Sequence, residues 1–171
     1  MCLVKFTGLT AISVMICLTG LYFSRLQKKK ADFLHSIARL FSEMQRLSGF
    51  GIYSLEEIFS RLSADESLSA LPFIREIFHG FSSGADMKKQ WECCVEAFCV
   101  SYADKKTGNQ LISFSAAFGK LSYEEFGLLC EKYYSDFALM AEREQKNWEK
   151  NREITVYSGV LVAAAVFFIF M

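Results

Sequence analysis

From Ser122 to the terminal Met171 the chain reads as one helical pattern that runs into an apolar end, so any fold must pack the first part of that helix on protein and take the last part out of water. Ser122 and Glu125 have the spacing of a capping box, in which each side chain satisfies a backbone N–H at the helix start. Phe126, Leu129, Cys130, Tyr133, Phe137, Met140 and Ala141 then recur at intervals of three and four, which lines one face with apolar groups. The pattern turns polar at Glu142, Arg143, Lys146, Lys150 and Arg152, and no charged residue follows Ile154. An apolar helix over residues 154–171 is roughly 27 Å long at about 1.5 Å per residue, close to the ~30 Å hydrocarbon thickness of a bilayer.

A second uncharged stretch, residues 6–23, follows Lys5 and precedes Arg25, Lys28, Lys29 and Lys30. A cleaved signal peptide fits it poorly, because the basic cluster comes after the apolar run and no small-residue cleavage site separates the two. Basic residues flanking a span mark its cytoplasmic end. Arg25, Lys28, Lys29, Lys30, Lys146, Lys150 and Arg152 all lie inward of the two apolar runs, so they set the topology: both termini outside, the middle in the cytoplasm. The expected organisation is a transmembrane helix over residues 1–24, a cytoplasmic domain over 25–152 and a second transmembrane helix over 153–171. Cys93, Cys94, Cys99 and Cys130 would then be kept reduced and serve as core packing.

Within the middle segment, Phe33, Leu34, Ile37, Ala38, Leu40, Phe41, Met44 and Leu47 extend the first span as a helix without a break. Gly49 and Gly51 end it, and Ser54 with Glu57 forms a second capping box before Leu55, Ile58, Phe59 and Leu62. Residues 63–69 read as a loop. Pro72 opens a third helix carrying Phe73, Ile74, Ile77, Phe78 and Phe81, and residues 82–86 end it. Trp91, Cys94, Val95, Phe98 and Tyr102 define a fourth; Lys106, Thr107, Gly108 and Asn109 read as a turn before Leu111, Ile112, Phe114 and Phe118. No stretch alternates with period two. The expected fold is therefore all-α: a six-helix antiparallel bundle flanked by an N-terminal and a C-terminal transmembrane helix. With 19 basic and 19 acidic residues, the formal charge is zero and gives no sign of a nucleic-acid partner, while 17 Phe imply a bulky aromatic core.

Chemistry is hard to find in this pattern. Cys93, Cys94 and Cys99 lack the paired spacing of a zinc site. His35 and His79 have no neighbouring acid to orient them, and Gly49 and Gly51 lack the lysine of a phosphate-binding loop. Glu56 with Glu57 and Glu124 with Glu125 sit in first helical turns, where carboxylates complement the helix dipole. No catalytic residue, cofactor or metal ligand is assigned, and the chain is not expected to be an enzyme. Trp91 reads as a core anchor. Tyr53, Tyr123 and Tyr134 fall beside the apolar stripes and are candidate interface residues. The seven basic border residues would also attract anionic lipid.

The arrangement resembles stage III sporulation protein AB, a family whose soluble domain is related to the F-type domain of type II secretion. The resemblance rests on a span at each end, Trp91 opening the middle helix, Phe114 and Gly119 before the last helix, and Tyr157 and Gly159 in the last span. The chain departs from it at Ser54 and Ser115, and at residues 121–125 in place of a small polar cluster. The resemblance implies a non-enzymatic platform subunit in the mother-cell membrane facing the forespore. It would belong to a secretion-like channel whose energy comes from a cytoplasmic ATPase, stage III sporulation protein AA, among other stage III sporulation proteins; a homo-oligomer is compatible with this. The alternative is a membrane-anchored regulatory or chaperone-like adaptor that holds a cytoplasmic client.

Overall fold

The first and last helices take up more than half of the chain: Cys2–Ser48 (α1) and Tyr123–Phe170 (α6). Between them lie Leu55–Ala64 (α2), Phe73–Ser82 (α3), Met87–Tyr102 (α4) and Lys105–Phe114 (α5), with short 3₁₀ turns at Glu66–Leu68 and Ser115–Ala117. This computed structural model describes the backbone of residues 2–102 and 105–170. It describes the side chains of residues 24–99 and 105–154, with Met15, Thr19, Gly20, Tyr22 and Tyr157. Among the described residues there is no strand, and the all-helical expectation holds.

The contacts divide the chain into two compact units: Asp32–Ala141, a helical bundle, and Met1–Ala31 with Glu142–Met171, a helix pair. In the bundle, α2 packs on α3, α3 on α4 and α4 on α5. The inner part of α1 runs antiparallel to the start of α6: Phe41 stacks on Phe137 at 5.6 Å, while further along α1 Ser48 abuts the earlier residue Gly127. Both capping boxes form as their spacing requires. The Glu57 carboxylate accepts from the Ser54 N–H at 2.8 Å, and that of Glu125 from the Ser122 N–H at 2.9 Å.

Two local expectations are corrected. Residues 106–109 are not a turn but the first half of α5, and Thr107 and Gly108 are buried there. A side chain at Gly108 would place its Cβ 3.3 Å from Cys99 Cβ, so this glycine permits close approach of α5 to α4 rather than reversal of the chain. Residues 63–69 are not an open loop either. α2 continues to Ala64, and Asp65 caps the following 3₁₀ turn by accepting from the Ser67 N–H at 2.8 Å, which lets Leu68 reach the core. The Tyr102 side chain lies outside the described residues.

Among the described residues no helix is long and apolar enough to cross a membrane. Residues 6–23 and 154–171, the two stretches expected to be spans, lie mostly outside the residues whose side chains are described.

Candidate interaction surfaces

Trp91 sits at the centre of the bundle, fully buried. Its ring meets Phe118 at 5.5 Å, Phe114 at 5.6 Å and Phe59 and Phe73 at 6.0 Å. Its indole N–H donates to the Leu111 carbonyl at 2.7 Å, so the one polar atom of the side chain is satisfied in an otherwise apolar setting. Ser115 is buried close by and donates to the Glu92 carboxylate at 2.8 Å.

Among the described residues the four cysteines are free thiols. Cys93 is exposed, whereas Cys94, Cys99 and Cys130 are buried. Burial raises the Cys94 thiol above its ordinary value, with the Glu76 carboxylate adding to the effect. Burial alone pushes Cys130 up to about 12. Such thiols are protonated at neutral pH and poor nucleophiles. No group of three or more His, Cys, Asp or Glu able to hold a metal ion occurs among the described residues.

The three tyrosines are placed differently. Tyr53 is half-buried, with Phe50 edge-on at 6.0 Å and the Arg61 guanidinium over its ring at 4.2 Å. Tyr134 is exposed on α6. Tyr123, also exposed, lines two adjoining hollows of the bundle. One is an open groove of about 720 Å³ between the end of α1 and the start of α6, lined by Gln45, Arg46, Ser48, Leu128 and Glu131 among others. The other, about 170 Å³, is walled by Leu55, Phe118, Leu121 and Phe126. Ile52, Phe50 and Leu128 are also exposed, Ile52 by 72%. The groove was missed in the sequence because it arises from the pairing of two helices distant along the chain. Its one trace there is Gly127, a helix-interior glycine whose Cβ would stand 3.2 Å from Ser48 Oγ.

The basic border residues all belong to the helix pair. Two are matched with acids: Lys30 with Glu144 at 2.7 Å, and Lys146 with Glu142. The Lys146 contact lowers the Glu142 carboxyl and raises the Lys146 ammonium relative to their ordinary values. Arg25, Lys29 and Lys150 are exposed. Lys28 and Arg152 meet at a residue that the sequence reading passed over: the Lys28 ammonium lies 5.5 Å and the Arg152 guanidinium 5.6 Å from the ring of Trp148. The Trp148 N–H donates to Ser24 Oγ at 3.0 Å, and Asn151 donates to Gln27 at 3.1 Å, so the contact joins α1 to α6. Trp148 escaped notice because it stands in a polar stretch, although it falls seven residues beyond Ala141 on the same face of α6. Its signal was composition: a tryptophan among Lys146, Lys150 and Arg152, just before the uncharged run.

The family model for stage III sporulation protein AB matches residues 5–171. The chain belongs to that family. No curated protein and no solved structure matches it. Membership of the stage III sporulation protein AB family gives the chain a role in sporulation.

Proposed function

We propose that this chain is a non-enzymatic membrane platform subunit of a secretion-like channel complex between mother cell and forespore. Its two apolar ends span the membrane facing the forespore, its bundle lies in the cytoplasm, and it links a cytoplasmic ATPase, stage III sporulation protein AA, to membrane components. An F-type secretion relationship of the bundle fits this reading. The observation that carries it is the family match over residues 5–171, which takes in both apolar runs and the bundle between them. Support comes from the basic residues just inward of both runs, the arrangement that retains a segment on the cytoplasmic side.

Two measurements test it. With the chain produced in the plasma membrane of non-sporulating cells, a membrane-impermeant thiol reagent is expected to label Cys2 and to reach Cys93, an exposed thiol of the bundle, only after permeabilisation. The reverse pattern overturns the topology. The full chain in detergent, titrated with the ATPase, is expected to bind it and change its hydrolysis rate. No binding and no rate change at high micromolar concentration would sink the platform reading and favour the adaptor.

A further inference from the structure

The net charge of zero conceals two opposite halves. The helix pair holds nine Lys and Arg against four Glu, whereas the bundle holds ten Lys and Arg against fifteen Asp and Glu. Two of the helix pair's cations meet at Trp148. Lys28 from α1 and Arg152 from α6 both lie within 6 Å of the indole centre, so the ring attracts each cation while the two repel one another. Glu149 and Glu153 share a hollow with Arg152, and Glu149 accepts from Gln145 at 2.8 Å, yet among the described residues neither Lys28 nor Arg152 forms an ion pair with an acid, and Glu144 is held by Lys30. An anion reaching both cations would relieve their repulsion, and the site stands on the polar side of both apolar runs, where phosphate groups of a bilayer lie.

We infer that Lys28, Trp148 and Arg152 form a binding site for the phosphate of an anionic membrane lipid, with the ring seated at headgroup depth. The Trp148 N–H is already bonded to Ser24, and Asn151 to Gln27, so the site is preorganised by contacts that do not use the two cations. Lys and Arg supply charge-assisted donors to the phosphate oxygens, and the indole packs on the glycerol and upper acyl region. The inference rests on the reading that the two apolar runs enter a membrane.

The test uses the full chain, with Trp148 emission as reporter, since Trp91 is fully buried in the bundle. Flotation with vesicles of phosphatidylcholine alone checks membrane entry; failure to float refutes the membrane reading itself. With the chain in phosphatidylcholine nanodiscs, adding phosphatidylglycerol is expected to shift Trp148 emission saturably. Lys28→Gln and Arg152→Gln should each raise the lipid fraction at half-change about fivefold, the equivalent of roughly 1 kcal/mol per cation. Lys29→Gln should change it less than twofold. A chain that floats but whose Trp148 emission ignores phosphatidylglycerol, or a Lys29→Gln loss equal to that of Lys28→Gln, would overturn the site while leaving the membrane reading intact. The same spectral shift with millimolar inorganic phosphate would assign the site to a soluble anion and refute the lipid.

Discussion

The bundle and the helix pair are held by different physics. In the bundle, apolar and aromatic side chains interlock: Phe41 touches Phe114, Tyr133 and Phe137, and Trp91 is ringed by four phenylalanines. The described contacts that join α1 to α6 in the helix pair are polar: Ser24 to Trp148, Gln27 to Asn151 and Lys30 to Glu144. Burial of large side chains stabilises by roughly 1.5–3 kcal/mol each, whereas exposed polar contacts contribute about 1 kcal/mol or less. The bundle is thus equipped to fold on its own core. On the membrane reading proposed above, the helix pair relies on the lipid around its apolar runs. The charge difference is consistent with that reading, since a basic segment is attracted to an anionic leaflet and an acidic one is not.

The largest effect that would sharpen this contrast is expected at the centre of the bundle. Trp91→Ala removes a fully buried ring and leaves the Leu111 carbonyl without its donor, at a cost of roughly 3–5 kcal/mol. The unfolding midpoint of the bundle, followed by near-ultraviolet dichroism of the solubilised chain, measures it. Trp148→Phe keeps a ring in the helix pair and should leave that midpoint unchanged. A loss of similar size from both would erase the distinction between core and border.

Smaller effects are expected at the helix starts. Ser54→Ala breaks the capping box of α2 and should cost about 1 kcal/mol. The box at Ser122 adds a pH signature. The Ser122 N–H and hydroxyl hold the Glu125 carboxyl below its ordinary value of 4.5. A depressed folded value means that this contribution is complete above the unfolded pKa and is lost as pH falls through the folded one. Glu125→Ala should therefore lower stability at neutral pH but approach the parent chain once the pH falls below the depressed folded value. A difference between the two proteins that stays constant from about pH 7 to pH 2 would show that the charge of Glu125 takes no part.

Features set by near neighbours were legible in the sequence. Ser54 with Glu57 and Ser122 with Glu125 act over three residues, so their boxes and the starts of α2 and α6 follow from local chemistry. The apolar stripe of α6 likewise reads directly, with Cys130, Phe137 and Ala141 all buried. Features set by tertiary approach were not. Thr107, Gly108 and Asn109 have the composition of a turn, and only the proximity of Cys99 shows that the glycine is needed inside a helix. Trp148 has no apolar neighbours three or four residues away, so nothing in its own segment reveals Lys28 as its partner from the other end of the chain. The groove beside Tyr123 similarly requires knowing that Ser48 meets Gly127.

The smallest expected effect tests the other side of the contrast, the weakness of polar contacts in the helix pair. Lys30 and Glu144 form an ion pair at 2.7 Å with side chains 35% and 27% exposed, so water screens much of the attraction and both long side chains lose rotamer freedom. Lys30 has a further contact besides this one, so the quantity to measure is the coupling in a cycle of Lys30→Met, Glu144→Gln and the double variant, which cancels what each residue does elsewhere. The coupling should be about 0.5 kcal/mol at low ionic strength and fall toward zero at 1 M salt, where the screening length is about 3 Å. A coupling above about 2 kcal/mol that survives high salt would mean that the pair is shielded from water. The helix pair would then have a stabilising core of its own at its inner end, and its dependence on a lipid surround would no longer follow from the weakness of its polar contacts.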